Sequence, residues 1–157
     1  MHYGKHLLIE AITKNPKELT NKNLIKKVFE EISQAINVIA VLPPVIYQFP
    51  KKLGMAKNMP GGLTAFCIIA ESHLAIHTWP ENNYFAFDLF SCKDFDEKIV
   101  IQILKKNFSI KKLFSQVIER GTSINFQKYH IIIQNSKIKS QNCLMSLRGG
   151  ACLRRQA

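Results

Sequence analysis

Apolar positions along the chain change period several times, and each change marks an element. Leu7, Leu8 and Ile9 form a mostly buried run inside a strand expected over residues 3–12, which Thr13, Asn15 and Pro16 bring to an end. Leu24, Ile25, Val28, Phe29, Ile32 and Ile36 then recur at helical spacing, with Lys22, Lys26, Lys27, Glu30 and Glu31 on the other face and Thr20 or Asn21 available as the cap. Residues 38–48 are rich in β-formers, but Pro43 and Pro44 restrict them to an edge or bulged strand. Residues 49–62 read as a long loop punctuated by Pro50, Gly54, Pro60, Gly61 and Gly62, a candidate flap beside a site.

Three β-like runs follow in quick succession, over 63–71, 73–79 and 84–91. Pro80, Glu81, Asn82 and Asn83 suit a tight turn, so the last two runs should form an antiparallel hairpin. Asp94, with Glu97 three residues on, resembles a capping box opening a second amphipathic helix through Ile99, Val100, Ile103, Leu104 and Phe108. Further strands are expected over 113–119 and 129–134. The order strand, helix, several strands, helix, strands predicts an α+β fold, a two-layer α/β sandwich with a mainly antiparallel sheet and helices packed on one face. The expected organisation is one domain over 1–135 and a basic tail over 136–157, which has no acidic residue, two adjacent glycines and no sustained period.

A length of 157 residues allows one core of ordinary size and no more. No apolar stretch approaches the ~18 residues that cross a bilayer, and Glu10 interrupts the first apolar run, so neither a membrane span nor a secretory signal is expected. The chain is therefore placed in the cytoplasm, with Cys67, Cys92, Cys143 and Cys152 as thiols. The net charge of +11 raises the question of a nucleic-acid partner. All 11 acidic residues and 17 of the 22 Lys and Arg lie before position 136, so the excess there is +6 and the tail supplies +5. Lysine pairs such as Lys26-Lys27 and Lys105-Lys106 are scattered and read as solvated faces, and no Arg-rich or glycine-aromatic signature joins them.

Chemistry is concentrated in residues 70–81, where Glu71, Ser72, His73, His77, Thr78 and Glu81 crowd into a run flanked by sheet-core sequence. Burying such groups without partners costs several kcal/mol, roughly 2–7 each, so their presence calls for a function. A turn centred near residues 81 and 82 makes partner numbers sum to 163 or 164, which puts Ser72 opposite Ser91 or Cys92 and lets a hydroxyl meet a thiol. His77 lies five positions from Ser72. An unbroken strand sends the two to opposite faces, so cooperation between them requires a bulge, a turn or a chain break.

Glu71-Ser72-His73, the run Ile76-His77-Thr78-Trp79-Pro80-Glu81 and the later Phe90-Ser91-Cys92 resemble the processing-site signature of the short prokaryotic S-adenosylmethionine decarboxylases. Gly4-Lys5-His6-Leu7-Leu8 resembles the first strand of that family, and the similarity spans about residues 4–120. The resemblance implies self-cleavage between Glu71 and Ser72: Ser72 Oγ converts the peptide bond to an ester, His77 takes the α-proton of Ser72, and β-elimination with loss of ammonia leaves a pyruvoyl group. That group would form a Schiff base with the substrate amine and accept the electrons released with CO2. It also implies that Cys92 returns a proton to the substrate, that Trp79 and Glu81 bind its nucleoside part, and that processed two-chain protomers form a homodimer with sites built from both subunits. Thr64 stands where the family carries a small hydroxyl residue, and Phe49 is a candidate by type for an aromatic at the substrate site. Related pyruvoyl enzymes of this fold act on arginine or ornithine, and the motif reports processing rather than substrate.

Blander readings exist for each residue: a turn serine, a hydrogen-bonded core histidine, a small buried cysteine and a hairpin tryptophan. Their occurrence together in this order disfavours that reading. His73 and His77 with Cys92 are an alternative metal set, although no CxxC or acidic partner completes a tetrahedron. A noncatalytic basic protein that binds nucleic acid is the remaining alternative.

Overall fold

The computed structural model describes residues 3–50 and 61–122. The expected strand at 129–134, the tail and most of the 49–62 loop lie outside the described residues. Among the described residues there are nine strands and α-helices: β1 Gly4–Thr13, α1 Lys22–Ala35, β2 Ile39–Ala40, β3 Val45–Gln48, β4 Leu63–Ala70, β5 Ser72–Trp79, β6 Tyr84–Ser91, α2 Glu97–Asn107 and β7 Ile110–Arg120. They build the expected two-layer α+β sandwich. Seven strands form one sheet in the order β2-β4-β5-β6-β1-β7, with β3 also on β4, and every pair is antiparallel.

Period-two alternation sorts the sheet into two faces. Leu7, Ile9 and Ala11 of β1, Leu63, Ala65, Cys67 and Ile69 of β4, Leu74 and Ile76 of β5, and Phe85, Phe87 and Leu89 of β6 are buried on the helix side. The helices answer with Ile25, Val28, Phe29 and Ile32 from α1 and Val100 and Leu104 from α2. The other face carries no helix among the described residues, and Val45, Tyr47, Phe66, Ile68, Phe114 and Ile118 are exposed there. No described helix is long and apolar enough to cross a membrane.

Helix starts follow side-chain chemistry. Asn21, not Thr20, caps α1: its Oδ1 accepts from the backbone N–H groups of Asn23 and Leu24, each at 3.1 Å. The capping box expected at Asp94 does not form; Asp96 is the N-cap of α2 instead, and its carboxylate accepts from Lys98 N–H at 2.8 Å. α2 begins too late for Asp94, which instead accepts from Phe95 N–H, while Glu97 pairs with Lys5 Nζ at 2.8 Å and ties the helix start to β1. Pro43 and Pro44 split the edge as their chemistry predicts, leaving β2 and β3 on the same side of β4. A 3₁₀ turn at Pro16–Thr20, capped by Asn15, replaces the simple strand end anticipated there.

Two contacts fix the end of the hairpin that carries His77 and Trp79. Thr78 is buried, donates its hydroxyl to Leu19 O at 2.8 Å and accepts from Leu63 N–H at 2.7 Å. Gly62 allows the backbones of the two strands to close up, because a Cβ there would run into the carbonyl oxygen of Thr78. Replacing Thr78 with valine strands the buried Leu63 N–H and is expected to lower unfolding stability by about 1–3 kcal/mol in denaturant titration; an unchanged midpoint would contradict the clamp.

Candidate active site

β5 is a central strand with chemistry at both ends. Ser72 is its first residue and pairs with Ser91 of β6, the lower of the two expected registers. Ser91 is fully buried, and its hydroxyl accepts from Lys93 N–H at 3.0 Å, shaping the chain just past β6. The Ser72 backbone has φ +126°, a region that side-chain-bearing residues rarely adopt and that costs about 1–3 kcal/mol. Glu71 precedes it in the exposed turn from β4, and its carbonyl oxygen accepts a hydrogen bond from Cys92 N–H at 3.4 Å. The Cys92 thiol is exposed one residue beyond Ser91, so the serine hydroxyl opposes a serine while the cysteine main chain reaches the bond before it.

At the far end of β5, His77 faces Thr64 across the β4–β5 pair, with 3.0 Å between Thr64 Oγ1 and His77 Nδ1. Phe49, Pro50, Thr64, His77, Trp79 and Glu81 line a cavity of about 430 Å³. Phe49 N–H donates to Gly62 O at 2.9 Å, which joins the two ends of the long loop at the mouth, and its ring packs edge-on against Tyr47 at 5.0 Å. Trp79 rests against Tyr84 at 5.3 Å and lies 6.3 Å from the His77 ring. The volume and the mix of two aromatics, a carboxylate and an imidazole suit a flat, nucleoside-sized ligand.

Neither bulge nor break interrupts β5: the register runs one-to-one from Ser72 to Trp79 against β6. Five steps at ~3.3 Å per residue put Ser72 and His77 about 16 Å apart, so one chain does not bring them together. The expectation that a local irregularity unites them is therefore corrected. The alternative metal set, already disfavoured by the sequence, is opposed by the same arithmetic, since His73 and His77 are about 13 Å apart along one face. Among the described residues no group of three or more His, Cys, Asp or Glu could hold one ion.

Sequence reasoning left His6, Asp88 and Arg120 without a role. All three lie on the open face, where His6 Nε2 is 3.6 Å from Asp88 Oδ1 and Arg120 donates to His6 Nδ1 at 3.3 Å. Arg120 lies one residue past the strand expected over 113–119, and the pairing of β1 with both β6 and β7 is what makes the three residues neighbours.

Comparison with known proteins places this architecture in a class. The fold is that of the S-adenosylmethionine decarboxylase-type sandwich: a solved adenosylmethionine decarboxylase from Aquifex aeolicus matches 79% of this chain and 95% of its own, with TM-score 0.64 and 24% identity, a likeness of fold. The family model for S-adenosylmethionine decarboxylase matches residues 5–121. Curated relatives named S-adenosylmethionine decarboxylase proenzyme are 32% identical over 119 residues in Clostridium botulinum, covering 75% of this chain and 94% of the relative, and 34% identical over 122 residues in Acetivibrio thermocellus, covering 75% and 88%. A third, from Thermococcus gammatolerans, is 34% identical over 120 residues and covers 75% and 76%. The chain belongs to the S-adenosylmethionine decarboxylase family.

Burial, the strongest influence on His6, pushes its pKa below the usual histidine value; Asp88 opposes that shift, and Arg120 and His73 reinforce it. The unfolded chain then binds this proton first, so stability falls as pH drops from the ordinary histidine range toward the depressed value and levels off below it. NMR titration should show His6 protonating below about 6.5 and lower still in Asp88→Asn. A His6 that titrates at or above the ordinary value would contradict this environment.

Proposed function

We propose that the chain is a self-processing decarboxylase that converts S-adenosylmethionine to CO2 and decarboxylated S-adenosylmethionine, the aminopropyl donor of spermidine synthesis, using a pyruvoyl group made from Ser72. The observation that carries this reading is Ser72 itself: a strained serine at the start of a core strand, preceded by a carbonyl already hydrogen-bonded to Cys92 N–H. Those residues fit the group that the family implies. Attack of Ser72 Oγ on the Glu71 carbonyl develops negative charge on an oxygen that the Cys92 N–H faces, and the strained backbone favours leaving the amide. Once formed, the pyruvoyl carbonyl supplies the electron sink for loss of CO2.

The chain's own residues then divide the work. Cys92, an exposed cysteine one residue past the partner of Ser72, returns the proton to the substrate carbon. Trp79, Glu81 and Phe49 hold the nucleoside part, with the aromatic faces and the carboxylate also suited to the sulfonium charge. His77, oriented by Thr64, takes the α-proton of Ser72 during self-cleavage. The separation of about 16 Å along β5 argues that this His77 serves a second copy of the chain, and likewise that the cavity at its end works with the pyruvoyl of that copy. The exposed apolar side chains on the open face, Phe66 and Ile68 on β4 and Phe114 and Ile118 on β7 among them, support a homodimer in which two sheets meet. The location we infer is the cytoplasm, where Cys67 and Cys92 remain the free thiols they are here.

A CO2-release assay with carboxyl-labelled S-adenosylmethionine, arginine and ornithine should give product from the first; release from either amino acid alone would reassign the substrate. Cys92→Ala should lower turnover by at least about a hundredfold, the usual scale for a lost acid, and normal turnover would remove its role. Ser72→Ala and His77→Ala should each stay uncut when made alone. Co-expressed, they should yield cut His77→Ala chains, whose intact Ser72 is served by the other copy's histidine; no cutting in the mixture would refute action between subunits.

A further inference from the structure

The steps above leave unused the histidine that lies next to Ser72 in its own chain. His73 Nδ1 lies 3.5 Å from Ser72 Oγ. Neighbours along a regular strand point to opposite faces, yet the φ of +126° at Ser72 departs from strand geometry at the residue whose hydroxyl meets the ring. The ring is held on several sides. It stacks on Phe66 at 5.3 Å and 24°, stands 6.0 Å from Phe90, and meets His6 edge-on at 6.4 Å. Its pairing partner on β4 is Ile68, so that strand brings no charge. Three titratable or charged groups face this region from the other strands: His6 from β1, Asp88 from β6 and Arg120 from β7. Arg120 is occupied by His6 Nδ1 and the Phe90 ring, Asp88 lies 3.6 Å from His6 Nε2, and burial favours a neutral His6.

We propose that His73 is the general base for the first step of self-cleavage, acting within its own chain, whereas His77 acts in the later elimination. In the Nε2–H tautomer, Nδ1 takes the proton from Ser72 Oγ as the Oγ–C bond to the Glu71 carbonyl carbon forms. The carbonyl electrons move onto oxygen, opposite the Cys92 N–H. When the oxygen reforms its double bond, the bond from that carbon to the Ser72 nitrogen breaks, and the imidazolium returns its proton to the departing nitrogen. The product is an ester with a free α-amine, and His73 ends neutral. The two histidines thus divide by bond rather than duplicating each other: His73 serves the oxygen nucleophile and His77 the carbon acid.

This assignment rests on the self-processing reading, and hydroxylamine separates the two. Hydroxylamine cleaves an ester between residues 71 and 72 and leaves the amide intact, so it reports which step is blocked. Wild type, His77→Ala, His73→Ala and His73→Gln are compared for cutting by intact mass, with thermal melting as the check on folding; glutamine keeps a planar polar group between the aromatic rings without a usable base. His77→Ala should accumulate hydroxylamine-sensitive chain. Both His73 variants should cut at least about a hundredfold more slowly and stay hydroxylamine-resistant, and added imidazole should speed His73→Ala. If wild type cuts but the His73 variants cut at its rate, or collect ester as His77→Ala does, the assignment to His73 is wrong. A wild type that never cuts overturns the self-processing reading itself.

Discussion

The structure depends on the unbroken pairing of β5 with a strand on each side. Paired to β4 and β6 residue by residue, this strand has its backbone hydrogen bonds committed in both directions and its Leu74 and Ile76 side chains fully buried against the helices. It is a ruler that does not bend. Ser72 sits at one end and His77 at the other, and no side-chain motion spans the distance between them. On the function proposed above, the chemistry that joins a serine nucleophile to that histidine draws on two copies of the strand, and the open face of the sheet then matters as much as the packed one.

The same strand serves stability and chemistry because its side chains alternate. Leu74, Ile76 and Thr78 point to the helices, and His73, His77 and Trp79 point away. Polar groups that would be costly inside the core are thus gathered where they pair with one another: Thr64 with His77, and His6 with Asp88 and Arg120. Departure from regular geometry is concentrated at the strand's first residue, where the positive φ of Ser72 coincides with the hydrogen bond from Cys92 to the preceding carbonyl. Strain held at that position is supported by the rigid pairing that follows it.

Much of this was legible in the residues. Period-two and helical runs located the main strands and both helices, the Pro43-Pro44 pair foretold the interrupted edge, and the turn at residues 80–83 narrowed the partner of Ser72 to Ser91 or Cys92, of which the sheet selects Ser91. What escaped depended on distance through space. Asp94 and Asp96 are equivalent as capping residues on paper, and Lys5, remote in sequence, draws Glu97 into a pair and leaves Asp96 at the helix start. Phe49 had no alignable neighbour, and only the closure of Phe49 onto Gly62 brings it to the cavity. The separation of Ser72 from His77 was legible as far as opposite faces of a strand, and what the one-to-one pairing of β5 with β6 adds is that no bulge or turn brings them back together. A short motif suggests proximity, whereas an extended backbone turns five residues into a long span.

The claim on which the function rests is that the bond between Glu71 and Ser72 does not survive in the working protein. Intact-mass measurement of purified, active material tests it directly. Two chains should appear, the first ending at Glu71 and the second beginning with a keto-acyl group in place of Ser72, with masses that together equal the translated chain plus one water and minus one ammonia. A single uncut chain that nevertheless releases CO2 from S-adenosylmethionine would contradict it.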